Sequence, residues 1–364
     1  MNRRSNAFDL LRLVAALLVL IEHSWLLTGS GFPLLPLSAG ITVGGVGLGV
    51  FFLTSGYLIL DSWLADPSPA RFAARRALRI LPLYVIVVLF TVLVAGPLLS
   101  TLAPGRYFAD GGTWEYLSAH LLLFGNEFDL PGVFTDAPYS TGVNGSLWTI
   151  PIEILCYVGL ALLGVVGLLR SRALLAVAAL VPVVLFVVVD VTGYEGTLIP
   201  RLVGTNAAPL IAFFAIGMVV RRVRPGVTPP WPVVVGAAVL WPLTWGTPLA
   251  GAVGVLVVGL LTFAVAFGAP PAVHHPTGRT DLSYGIYVLA YPVQQMLATA
   301  GVRTAVVNLL LTAALTASAA FLTWRTIESP ALRLKPRRPS TPQAPTPTPA
   351  VTPTPPRHRR SAQD

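Results

Sequence analysis

The chain has 364 residues, 54% of them hydrophobic and only 11% charged, with a mean hydropathy of +0.74. A soluble protein of this length needs far more charge to cover its surface, so the composition argues against a soluble domain and for a polytopic membrane protein. The net charge of +9 does not point to nucleic acid, because nearly all of it sits between apolar runs and in the tail, where it orients a membrane protein.

In chain order the apolar runs predict ten spans, at about 8–28, 41–60, 79–100, 146–169, 173–191, 204–220, 231–245, 249–268, 282–300 and 303–325. Most are close to the roughly 20 residues that cross a hydrocarbon core of about 30 Å. The expected fold is all-α, a polytopic integral membrane bundle. The first run is too long for a signal-peptide core and no small-residue cleavage site follows it, so it reads as a permanent helix. The seventh is short and broken by Pro232 and Pro242. Cys156, the only cysteine, lies inside the fourth, which leaves no intrachain disulfide and no cysteine-cluster metal site.

Arginines then set the expected orientation. Arg3, Arg4, Arg71, Arg75, Arg76, Arg79, Arg170, Arg172, Arg221, Arg222, Arg224, Arg279 and the basic tail fall on one side of such a bundle, and only Arg106, Arg201 and Arg303 on the other. That asymmetry predicts that both termini are cytoplasmic, which an even number of spans satisfies. The segment 101–145, on the outer side, carries Asp110, Glu115, Glu127, Asp129, Asp136 and His120, and its stretch WEYLSAHLLLFGN is expected to dip into the interface without crossing. Residues 336–364 are rich in proline and threonine, a composition that cannot bury a core. A transmembrane domain over 1–335 and a disordered basic tail over 336–364 are therefore expected.

The stretch FDLLRLVAALLVLIEHSWLL, residues 8–27, contains groups that a lipid-facing helix cannot use. Arg12 and His23 are eleven residues apart, so on an α-helix they return to within about 20° of one face and stand roughly 16 Å apart along the axis. Asp9 lies near that face. Ionisable groups in a span face a bundle interior or a wet cavity, since exposure to lipid costs several kcal/mol. Singly, Arg12 reads as well as a snorkelling anchor, and His23 as a satisfied polar residue near the far interface. Together, with Glu22 adjacent, they favour one functional cavity.

Histidine is suited to take a proton from a hydroxyl near neutral pH, and a nearby carboxylate would fix its tautomer. Glu22 points about 100° away on a regular helix, which makes Glu153 of the fourth span the better candidate. In RFAARRALRILPLY, residues 71–84, Arg76 and Arg79 share a helix face and Arg75 nearly does. This cluster is a positive-inside anchor; the sharper reading is a clamp on polyphosphate, whose oxygens match the guanidinium fork. Other patterns carry less. GGVGLG, residues 44–49, follows no strand and suits close helix packing, not a phosphate loop. His274 and His275 are adjacent without acidic or cysteine partners, so no metal site is expected. Tyr284 and Tyr287, at helical spacing, read first as packing residues, and neither a serine-hydrolase elbow nor a zinc-protease run occurs.

Six fragments stand in series: Arg12 and His23 with ten residues between them; GVGLGVFFLTSGYLI at 45–59; RRALRILPLY at 75–84; GSLWTIPIEILCY at 145–157; SYGIYVLAYPV at 283–293; and IESPALRL at 327–334. In this order and on these spans they resemble membrane-bound acyltransferase family 3, the bacterial O-acyltransferases of cell-surface and secondary-metabolite sugars. The resemblance covers about residues 6–334. It implies a multi-pass protein of the bacterial plasma membrane that moves an acyl group, acetyl first of all, from acyl-coenzyme A to a carbohydrate hydroxyl, with no metal.

By that resemblance the donor enters from the cytoplasm, Arg75, Arg76 and Arg79 hold its phosphates, and His23 activates the acceptor hydroxyl or assists acyl transfer. Arg12 keeps histidine or donor in register, and Glu153 orients the polar groups of the cavity. Asn144, Trp148 and Tyr284 are the candidate substrate-binding residues. Members commonly carry histidine in a ninth-span Tyr-x-x-His-x-Pro motif, where this chain has Ala290. Two other classes compete with the enzyme: an exporter using the same polar stripe as a pathway, and a non-catalytic relative that binds a lipid-linked sugar.

Overall fold

The computed structural model describes residues 7–31, 41–123, 128–139, 142–192, 207–270 and 280–336. Arg3, Arg4, Glu127, Arg201, His274, His275, Arg279 and the tail from 337 onward lie outside them.

The described chain is nearly all helix. The long elements are α1 (Phe8–Leu27), α2 (Val43–Ala65) and α3 (Pro69–Phe90), the last carried on by a π turn over Thr91–Ala95 and a final turn, Gly96–Leu99. Two short helices follow, α4 (Pro104–Ala109) and α5 (Gly111–Leu121). A 3-10 turn, Gly145–Trp148, leads into α6 (Thr149–Val165), and then come α7 (Arg172–Thr192) and α8 (Ala207–Val223). The series ends with α9 (Trp231–Leu240), α10 (Ala250–Gly268), α11 (Ser283–Thr299), α12 (Ala305–Thr323) and α13 (Ser329–Arg333).

Helices stand at all ten predicted spans, and seven among the described residues are long and apolar enough to cross a membrane. Of the other three, α8 and α11 have 17 residues each. The third, at the predicted seventh span, breaks at Leu240 into a 3-10 turn containing Pro242, because proline removes a helical hydrogen bond and crowds the preceding turn. The chain is a multi-pass membrane protein.

Burial orders the bundle. The most apolar window of α2 is 61% buried, whereas that of α7 is 17% buried, so α2 forms the centre and α7 the lipid-facing margin. The centre is possible because small residues let backbones approach. Gly56 of α2 lies against the carbonyl of Phe214 in α8, and Gly217 of α8 lies against the carbonyl of Leu53 in α2, leaving no room for a methyl group at either place. Gly56→Ala is therefore expected to force α2 and α8 apart and to destabilise the protein by about 1–3 kcal/mol. A thermal melt of the detergent-solubilised variant checks this, and an unchanged midpoint would contradict it.

A small second core sits at one end of the bundle, where Tyr107, Tyr116, Leu130, Val133 and Phe134 pack on Val92 of α3. The π turn of α3 is its foundation: Tyr107 donates its hydroxyl to the Val92 carbonyl at 3.0 Å, and Gly96 leaves space for the phenol. Of the segment expected to dip into the interface, residues up to 121 belong to helix α5, and 124–126 lie outside the described residues. The segment keeps Trp114 and Leu122 exposed but buries His120, whose carbonyl accepts a hydrogen bond from Tyr84 at 2.9 Å. Burial lowers the affinity of the His120 imidazole for a proton, below its ordinary range.

Among the described residues, polar contacts fasten both ends of the bundle. Arg221 pairs with Asp61, and Arg222 donates to the carbonyl of Arg170 at 2.6 Å, so the ends of α2, α6 and α8 meet. At the other end Ser30 reaches the carbonyl of Arg303 at 3.2 Å, and the Glu22 carboxylate accepts the amide of Gly44 at 2.6 Å. Glu22 therefore caps the first turn of α2, where the helix dipole favours an anion.

Candidate active site

Four ionisable side chains, distant in sequence, meet at the arginine-rich end. Arg12 of α1 donates to Asp281 at 3.2 Å, Arg79 of α3 pairs with the same oxygen of Asp281, and Arg79 also reaches Glu328 at 3.0 Å. Asp281 stands just before α11 and accepts from the Ser283 amide at 3.2 Å and the Ser283 hydroxyl at 2.6 Å, so it also caps that helix. Burial alone would raise the Asp281 carboxyl, but Arg79 and Arg12 outweigh it and hold the group well below the usual carboxylate range. The guanidinium of Arg79 is further enclosed between the rings of Tyr284 and Trp324, 5.6 and 5.8 Å from their centroids.

Next to this cluster a small cavity of about 40 Å³ is bounded by Arg12, by Phe51 and Ser55 of α2, by Glu153 of α6, and by Tyr284 and Tyr287 of α11. Glu153 does not turn to the histidine. It accepts from the Ser55 hydroxyl at 3.3 Å and from Tyr157, one turn along its own helix. Tyr287 closes one wall, its hydroxyl 2.7 Å from that of Thr149 and donating to the Ser146 carbonyl at 2.9 Å. A carboxylate, a guanidinium and hydroxyls thus converge in a cavity otherwise walled by aromatic and aliphatic groups, which is how small-molecule sites are built.

His23 lies beyond this pocket, about three helical turns farther along α1. Its ring meets Tyr291 of α11 edge-on, centroids 5.0 Å apart at 81°, and its Nδ1 is buried without a hydrogen-bond partner. Between Arg12 and His23 the same face is closed. Ala15, Ala16 and Val19 are buried, and Gly47 of α2 lies against the Ala15 carbonyl and the Val19 side chain. The expected single cavity is thus a pocket at Arg12 and a separate histidine, because the glycines of α2 draw it tightly onto α1.

The arginines of α3 divide by partner. Arg75 is buried and donates to Asp66 at 2.6 Å, and Arg71 grips the same carboxylate, also at 2.6 Å. Both hydrogen bonds, with Arg71 contributing most, hold the Asp66 carboxyl well below its usual range. This triad fastens the turn between α2 and α3. Arg76, between the two paired arginines, has no carboxylate partner among the described residues; its Nε is buried and unpartnered, and its guanidinium lies 6.0 Å from the Phe72 ring.

Of the candidate substrate residues, Tyr284 lines the pocket, with its hydroxyl donated to the Ile80 carbonyl at 2.9 Å. Trp148 packs against the main core. Asn144 is fully buried. Pro292 has no N–H for the Val288 carbonyl one turn earlier, and the Asn144 amide supplies that hydrogen bond at 3.0 Å, while its oxygen accepts from Ser146 at 3.3 Å. Asn144 therefore anchors the loop before α6 to α11. Ala290, also buried, packs with Ala16 and Leu20 of α1. Asp281, Glu328, Ser55 and Tyr157 escaped the sequence reading. Only Tyr157 had a local signal, four residues after Glu153 on one helix face.

Residues 5–326 match the acyltransferase domain family. An O-acetyl transferase of Shigella phage Sf6 is 31% identical over 300 residues, 80% of this chain and 86% of that protein. Nodulation protein 10 of Rhizobium leguminosarum bv. viciae is 28% identical over 363 residues, 91% of this chain and 94% of that protein. No solved structure matches the chain. The matched region contains the first five sequence fragments, the pocket, and every candidate residue on α1, α3, α6 and α11. The chain belongs to membrane-bound acyltransferase family 3 and is a multi-pass membrane acyltransferase.

Proposed function

We propose that this acyltransferase moves an acyl group, acetyl in the first instance, from acyl-coenzyme A to a hydroxyl of a carbohydrate. The carrying observation is the pocket lined by both Arg12 and Glu153, together with an Arg76 that lacks a carboxylate partner among the described residues. The positive-inside asymmetry turns that end to the cytoplasm, where acyl-coenzyme A is found. Arg76 takes a donor phosphate directly, and Arg75 and Arg79, already paired, add positive field around it. The name of the phage relative supports acetyl as the group and oxygen as the acceptor atom.

In the reaction His23 takes the proton of the acceptor hydroxyl as its oxygen attacks the thioester carbonyl. The carbon–sulfur bond then breaks, and coenzyme A leaves as the thiolate, which takes that proton from the His23 imidazolium and restores the neutral ring. Arg12 fixes the donor's entry, and Glu153 orients the polar groups around its arm. Tyr284 and Trp148 border the donor's and acceptor's path, with Asn144 supporting that border through the loop. Because Ala16, Val19 and Gly47 close the way to His23, this reading requires the donor's arm to part α1 from α2 when it binds.

Membranes carrying the protein, given acetyl-labelled acetyl-coenzyme A, are expected to place alkali-labile label in their carbohydrate fraction. Release of labelled acetate alone would remove the carbohydrate acceptor. Movement of a polar substrate across the membrane without any label transfer would favour an exporter.

A further inference from the structure

We infer that Gln294 is the positioning residue of His23, fixing the helical turn that carries the imidazole where a histidine base ordinarily relies on a carboxylate. The inference rests on the reading of His23 as the base.

Gln294 of α11 is completely buried. Its amide nitrogen donates to the Leu20 carbonyl at 2.8 Å, and the same nitrogen lies 2.6 Å from the Ser24 hydroxyl. A carbonyl can only accept, so the orientation of the amide is settled: its nitrogen faces α1. Leu20 and Ser24 are successive positions on one face of α1, and His23 belongs to the turn they bound. From the other side the buried Asn308 of α12 donates to the main-chain carbonyl of Gln294 at 3.1 Å. A polar staple therefore runs from α12 through α11 to the histidine's own turn. Away from water its groups have few alternative partners, so the staple restrains α1.

The same face of α11 also restrains the ring. Tyr291, one turn before Gln294, is the residue against which His23 stands edge-on. Tyr291 has little room to retreat, because its own ring crowds Gly145 so closely that a Cβ there would come within 2.6 Å of it. Among the described residues no carboxylate supplies an alternative restraint. Nδ1 of His23 has no partner, Glu153 is engaged by Ser55 and Tyr157, and Glu22 is engaged by Gly44. What sets the imidazole is therefore the amide and the phenol ring of α11.

The test is Gln294→Leu, which keeps the bulk and removes the donor. It is expected to lower kcat by about 10–100-fold, since small misplacement of a catalytic group costs that much, with KM for acetyl-coenzyme A unchanged within about twofold. The direct readout is the ring resonance of His23 in histidine-labelled protein, identified by its loss in His23→Ala. A displaced or broadened resonance together with the kcat loss supports the inference, and an unmoved resonance overturns it whatever the rate. A displaced resonance with an unchanged rate would instead overturn His23 as base and leave the hold of Gln294 on it standing, so the two failures are distinguishable. Should Gln294→Leu not fold, Ser24→Ala removes one of the two contacts on α1 and is read by the same criteria.

Discussion

Replacement of His23 by alanine is expected to reduce acyl transfer by about 10²–10⁴-fold, the usual contribution of a positioned acid–base group. The loss should fall on kcat, because His23 lies away from the pocket at Arg12 and from the arginines proposed to hold the donor. His23→Gln keeps a polar side chain of similar reach but cannot carry the proton at neutral pH, so it should be as inactive as alanine. The check is steady-state label transfer at saturating acetyl-coenzyme A, with protein amount normalised in the membranes. Full activity in both variants would move the base to Glu153, the carboxylate that lines the pocket itself.

The second large effect is on stability. Asp281→Asn leaves Arg12 without its ion-pair partner, while Arg79 retains Glu328. Breaking a buried pair costs up to about 3–5 kcal/mol. Here Arg12 and Asp281 keep 24% and 19% of their side-chain surface exposed, so screening reduces the expected cost to about 2–3 kcal/mol. The sign with pH follows from the depressed Asp281 carboxyl. Its stabilisation is fully present above the ordinary value of 3.8 and is lost as pH falls from there toward the folded-state value. Melting midpoints of wild type and Asp281→Asn should therefore lie well apart at pH 7 and draw together below about pH 3.8. A gap that stays constant across that range would show that the carboxylate's charge is not what stabilises the cluster.

These two sites differ in how far the sequence announced them. Arg12 and His23 were legible because an ionisable residue inside an apolar run has few tolerable environments, and their spacing alone gives a shared face. The helices were legible for the same reason, down to the break that Pro242 makes. What the sequence did not announce is which partner each charge takes. Asp281 lies 269 positions from Arg12 and 202 from Arg79, and pairing over that distance leaves no local periodicity. Glu153 illustrates the limit from the other direction. Its need for partners was clear, but the choice of Ser55 and Tyr157 over His23 depends on how α2 and α6 cross. Asn144 reads as a free amide until the missing N–H of Pro292 gives it a carbonyl to satisfy.

The first helix is held at both of its ends by groups that point in fixed directions: Arg12 toward Asp281, and Glu22 toward the amide of Gly44. Such a rod cannot be retimed. One residue inserted between these fastenings would swing one against the other by about 100° and lengthen the rod by about 1.5 Å, so that either the ion pair or the cap must let go. Selection can thus change the exposed apolar letters between the two fastenings, Val14 and Leu17, in kind but not in number.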